Sequence, residues 1–182
     1  MTVFQANELM DNETGLIFYP GGKVEAAAYY PLLDKLSKNG ITCVLLKMPF
    51  NLAVFDIDAA DKVYESLPDI ENWYISGHSL GGAMASSYIE GNSDKLNGLI
   101  LLGAYPINNE QLVTLAIYGS EDLGLDKSKL SSMKNVFEII GGNHAYFGNY
   151  GEQKGDGKAT ISRDEQQKIT VDEIIEFINL NN

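Results

Sequence analysis

The chain has 182 residues, 45% of them hydrophobic and 21% charged, a length and balance that can bury a full core and that argue against disorder. Lys and Arg number 13 against 25 Asp and Glu, a formal net charge of -12, and such a surface repels phosphate backbones and anionic lipid heads, so nucleic acid and membrane-surface partners are not expected. One cysteine and two histidines cannot make a zinc-type ligand cluster, and no cofactor is expected.

From the N-terminus, Val3 to Ala6 is a short apolar-alternating piece and Asn7 to Thr14 a polar turn. Gly15 to Tyr19 is a continuous apolar run ending at Pro20-Gly21-Gly22-Lys23, the pattern of a buried parallel strand. Tyr29, Leu32, Leu33 and Leu36 recur at helical spacing and predict a helix over 24–38, closed by Asn39-Gly40. Ile41 to Leu46 is the next strand, with Cys43 a core thiol that has no disulfide partner. A loop follows at 48–51, then a helix over 58–67 that stops at Pro68.

Trp73 to Ser76 is a strand that leads directly into Gly77-His78-Ser79-Leu80-Gly81, and a helix over 80–90 follows. This is G-x-S-x-G set between strand and helix, the context in which a sharp turn lifts a serine hydroxyl clear of the sheet. The positions two before and two after the serine must lack bulk, and glycine stands at both. Strands at 98–103, 113–118 and 136–140 continue the alternation, with a short helix at 126–134. A last helix over 163–180 carries Ile169, Ile174, Ile175, Phe177 and Ile178 on its apolar face. The expectation is a three-layer α/β domain over 1–182, with a mostly parallel sheet of about six to seven strands and helices on both faces. The connection from Ala104 to Leu112 is too short for a lid domain. The connection from Gly141 to Gly157, glycine-rich and aromatic, has the length of an ordered functional loop.

An alcohol is a poor nucleophile at neutral pH, so Ser79 needs a general base within reach. His78 adjoins it on a sharp turn, where the two side chains diverge, and is expected to pack or hydrogen-bond under the sheet edge. His144 follows a strand, at the same C-terminal edge as Ser79, and is the expected base. The base needs an acid to hold its tautomer, and Asp122 lies just past the strand end of Tyr118-Gly119. Glu121 and Asp126 compete for that role; the first diverges from Asp122, and the second reads as a helix N-cap. The oxyanion needs two backbone donors: Leu80 N–H after the nucleophile, and Gly22 or Lys23 in the loop after an earlier strand. Pocket size then depends on how Phe50, Phe55, Tyr105, Tyr146 and Phe147 surround Ser79.

Together these residues resemble the α/β-hydrolase superfamily, in particular a compact lidless bacterial branch loosely called dienelactone-hydrolase-like. The resemblance covers Leu16 to Phe55, the 77–82 elbow, Gly141 to Ala145 and Phe147-Gly148. It implies a hydrolase with a Ser79, Asp122, His144 triad. Dienelactone hydrolases proper use a cysteine where Ser79 stands, so lactonase activity does not carry over. The superfamily fold also opens with an antiparallel hairpin, for which the first fourteen residues leave little room, so the first strands read as truncated. The expected reaction is cleavage of a small-molecule carboxylic ester, or a thioester or amide, through an acyl-enzyme. The rival reading is a non-catalytic ligand-binding protein on the same scaffold. No dinucleotide or P-loop pattern follows any strand, which argues against a nucleotide or redox role. With no apolar stretch long enough to cross a membrane and no signal pattern, the location reads as cytoplasmic. Relatives in this branch can carry an anchor or export segment, which would place the protein outside the cytoplasm.

Overall fold

The computed structural model describes residues 1–7, 13–107 and 112–182. Seven strands form one sheet: β1 (Thr2–Phe4), β2 (Thr14–Tyr19), β3 (Thr42–Leu45), β4 (Asn72–His78), β5 (Gly98–Leu102), β6 (Thr114–Gly119) and β7 (Asn135–Ile139), in the order β1-β3-β2-β4-β5-β6-β7. β1 runs antiparallel to β3, and every other pairing is parallel. The sequence presents β1 only as an alternating fragment. Thr2, Val3 and Phe4 pair with Leu45, Val44 and Cys43, an antiparallel edge strand in the short opening segment that left little room for a hairpin.

The buried strands read as continuous apolar runs because both faces are covered. Leu16, Phe18, Cys43, Leu45, Ile100 and Leu102 join one core with helices α1 (Tyr30–Lys38) and α4 (Arg163–Asn181). Their neighbours Ile17, Tyr19, Val44, Leu46, Leu99 and Leu101 join the other, with α2 (Asp61–Tyr64) and α3 (Leu80–Tyr88). Cys43 is fully buried and unpaired, and burial pushes its thiol pKa up.

Three helices are shorter than their patterns predict. The 24–38 segment divides into a 3-10 turn, Ala26–Tyr29, and α1, because Pro31 in the first turn of α1 has no N–H to continue the earlier ladder. The 58–67 segment is a 3-10 turn, Ile57–Ala60, followed by the single turn of α2; only Ala59, Ala60 and Val63 are buried there, too little apolar surface to hold a longer helix. Residues 126–134 retain only the 3-10 turn Lys127–Leu130, with Leu130 its one buried side chain. The 48–51 loop contains the 3-10 turn Pro49–Asn51, and a second, Ala53–Phe55, follows it.

Register sets the site. Tyr19 pairs with Gly77, and His78 with Leu102, so β2, β4 and β5 end level with one another. Gly21, Ser79 and Gly103 therefore emerge at one edge.

Candidate active site

Ser79 joins β4 to α3 at φ 54 and ψ -122, a left-handed conformation that costs a non-glycine residue about 1–3 kcal/mol. Its N–H donates to the Leu102 carbonyl at 2.9 Å, and packing holds the turn from below. A Cβ on Gly77 would overlap the Gly81 backbone, and one on Gly81 would overlap the carbonyls of Tyr19 and Pro20. These two glycines are therefore required by space alone. Ser79 Oγ makes no hydrogen bond among the described residues and opens on a cleft of about 500 Å³, lined by Gly21, Gly22, Val24, Leu52, Leu80 and Tyr150 among others.

His144 Nδ1 and Asp122 Oδ2 lie 2.7 Å apart, with both side chains buried. The other carboxyl oxygen of Asp122 accepts the N–H groups of Gly124 and Leu125, each at 3.0 Å, which fixes the carboxylate without borrowing from the histidine. Glu121 instead accepts from the Ser120 hydroxyl, and Asp126 caps the following turn through the Ser128 N–H. Gly103, one residue past the Ser79-bonded Leu102, lies against the His144 ring; a Cβ there would stand 2.8 Å from His144 Nδ1. Ser79 and His144 thus abut the same end of β5.

The loop that carries His144 is held by groups that sequence reasoning missed. Asp156 accepts the N–H groups of His144 at 3.1 Å and Ala145 at 2.8 Å. Gln166, on α4, accepts from Asn143 N–H at 3.0 Å and donates to its carbonyl at 2.8 Å, copying a strand neighbour. The sequence signals for both were a long ordered loop and a polar residue inside a helix, neither of which identifies a partner.

The two candidate amides of the oxyanion loop differ. Lys23 N–H donates to Asn51 O at 2.7 Å, both residues being left-handed (φ 62 and 55), so it is committed elsewhere. Gly22 N–H has no hydrogen-bond partner among the described residues, and Leu80 opens α3, where the first amides lack an acceptor one turn back. Gly22 also lies beside Leu80, whose Cδ2 would be 2.7 Å from an added Cβ.

His78 is packed beneath this edge. It is 1% exposed, and its ring lies 4.5 Å from that of His144 and 5.6 Å from that of Phe147. Burial, and then the neighbouring His144, hold its pKa well below 6.5. Of the five aromatics on whose arrangement pocket size was expected to depend, none lines the cleft. Phe147 is fully buried, and Phe50 and Phe55, 86% and 61% exposed, stack on each other at 5.9 Å. Tyr105 packs on the core, and Tyr146 lies under the Arg163 guanidinium. Tyr150 is the ring at the cleft, because the 141–157 loop turns its aromatic residues in different directions.

A model of the alpha/beta hydrolase family matches residues 15–168. No curated protein matches the chain significantly. Among solved structures, the chain is similar to a monoacylglycerol lipase from Paleococcus ferrophilus (13% identity, TM-score 0.69, covering 96% of this chain and 97% of that one). It is also similar to the RedJ thioesterase of the prodiginine pathway in Streptomyces coelicolor (12%, TM-score 0.59, 88% and 85%). A third similar structure is a dienelactone hydrolase from Anabaena variabilis (14%, TM-score 0.65, 94% and 88%). At these identities the likeness is one of fold.

Proposed function

The chain belongs to the alpha/beta hydrolase family, and from that premise we propose that it is a serine hydrolase cleaving a small carboxylic ester or thioester through an acyl-enzyme. The observation that carries this reading is the buried 2.7 Å contact between His144 Nδ1 and Asp122 Oδ2, at the strand edge where a strained Ser79 faces an open cleft. In this reading Asp122 accepts a hydrogen bond from Nδ1–H, which keeps the hydrogen there and leaves Nε2 as the base. Ser79 Oγ attacks the carbonyl carbon and passes its proton to Nε2. The oxyanion is held by the amides of Leu80 and Gly22, at the positive end of α3. Collapse breaks the carbonyl–oxygen or carbonyl–sulfur bond, and the leaving group takes the proton from His144. Water, deprotonated by the same nitrogen, then releases the acid and restores Ser79.

The lipase and the thioesterase among the similar structures fit this choice of bond. The test is a panel of short-chain p-nitrophenyl esters and acyl thioesters. Wild type should turn over at least one class. Ser79→Ala and His144→Ala should each lower kcat/KM by a thousandfold or more, and Asp122→Asn by a similar order. Binding of these compounds without turnover by folded wild type would instead mark a ligand-binding protein.

A further inference from the structure

A chain of buried hydrogen bonds crosses the site beneath Ser79. Gly21 N–H donates to Tyr29 Oη at 3.0 Å, Tyr29 Oη lies 2.7 Å from His78 Nδ1, and His78 Nε2 lies 3.1 Å from the His144 carbonyl. Tyr29 and His78 are 0% and 1% exposed, so water does not substitute for any of these partners. The proton positions follow from chemistry. Nε2 faces a carbonyl oxygen and must carry a hydrogen. Tyr29 Oη accepts from Gly21, so its own proton points to the remaining neighbour, Nδ1, which must be an acceptor. His78 is then a neutral imidazole with its hydrogen on Nε2.

We propose that Tyr29 and His78 are positioning residues, a neutral strut that fixes the spacing between the oxyanion loop and the base-bearing loop on either side of Ser79. The inference rests on the serine-hydrolase reading above and adds to it a fully buried tyrosine and a histidine that is 1% exposed at the floor of the cleft, both acting through the backbone of their neighbours. One end of the strut is Gly21, immediately before the Gly22 amide. The other end is the backbone of His144. The middle is the residue preceding Ser79, so three working parts share one rigid path. Gly21 is fitted to it: a side chain there would stand 2.7 Å from Tyr29 Oη and 2.9 Å from His78 Nδ1. A second tie runs alongside, from Asn149 N–H to the Ala28 carbonyl at 2.8 Å. Because His78 is uncharged, it does not oppose the positive charge that His144, 4.5 Å away ring to ring, takes up during attack. Catalytic geometry tolerates about 0.5 Å of error, and a displacement of 1 Å loses roughly a hundredfold in rate.

The experiment measures kcat and KM per active site titrated with a fluorophosphonate, for wild type, Tyr29→Phe, His78→Gln, His78→Leu and Tyr74→Phe. Tyr74→Phe also removes a buried tyrosine hydroxyl, one bonded to Asn182 Oδ1 at 2.9 Å beside the C-terminal end of α4, and serves as the structural control. Tyr29→Phe should lower kcat per titrated site by about 30- to 100-fold with KM changed less than about threefold. Tyr74→Phe should shift only the melting temperature. His78→Gln, whose amide can still donate to the His144 carbonyl, should retain about tenfold more kcat than His78→Leu. Wild-type kcat per titrated site in Tyr29→Phe overturns the strut. So does equal kcat in His78→Gln and His78→Leu, which decides the matter if Tyr29→Phe does not fold. Wild type inert toward both probe and esters would overturn the hydrolase reading itself and this inference with it.

Discussion

Ser79, His144 and Asp122 could be proposed from the sequence because each carries a local signal: a glycine-flanked elbow, a histidine after a strand, a carboxylate just past the preceding strand. Tyr29 had none. Its spacing with Leu32 and Leu36 is that of a core helix face, and its hydroxyl partner is 49 positions away along the chain. How Phe50, Phe55, Tyr105, Tyr146 and Phe147 lie relative to Ser79 was not legible for a related reason, since ring chemistry says nothing about the direction in which a turn points a ring. Two consequences are testable at this scale. His78 has a depressed pKa in the folded state, so below about pH 6.5 the unfolded chain binds a proton that the native state refuses. Its contribution to stability is full above that pH and is lost as pH falls. The urea midpoint should therefore drop between about pH 7.5 and 5, and drop less in His78→Gln; equal slopes would contradict the assignment. Gly103, at φ +53 against the His144 ring, is the second case. Gly103→Ala should lower kcat/KM by about a hundredfold or more while the protein remains folded by circular dichroism, and unchanged kinetics would contradict the packing described.

Strands were more readable than helices. A β-strand buried on both faces is a bare apolar run, so β2, β3, β4 and β5 stand out, whereas helical spacing does not report where a ladder breaks. Pro31 divides the pattern that began at Val24 into a 3-10 turn and α1, and narrow apolar faces shorten the two segments after β3 and β6. The 141–157 loop was recognisable as ordered from its glycines and rings, but the groups that hold it, Asp156 and Gln166, were not, because their partners are backbone amides. Removing Asp156 by Asp156→Ala leaves the amides of His144 and Ala145 without their acceptor. The expected cost is about 2–4 kcal/mol. Hydrogen exchange should show protection lost at residues 144–157 and kept in β2 to β5. Uniform loss across the sheet would mean the loop is not a separately held element.

The arrangement of the whole molecule follows from the parallel register, which brings the ends of β2, β4 and β5 level and so gathers groups distant in sequence at one edge. That gathering was inferred from alternation of strands and helices; the strand order and the antiparallel edge strand β1 were not. The formal charge of -12 acts at this scale too. Most ion pairs among the described residues are exposed and weakly stabilising, and the acidic excess repels itself. Raising NaCl from about 0.02 to 0.5 M should therefore raise the melting temperature, since screening relieves the repulsion. A fall would mean that the pairs outweigh it.

The most direct test of the account is to treat the folded protein with a fluorophosphonate probe and locate the adduct by peptide mass spectrometry. The account predicts a single adduct on Ser79, slowed strongly by His144→Ala and absent in Ser79→Ala. An adduct elsewhere, or none on protein with a normal melting transition, would contradict the claim that this edge activates Ser79.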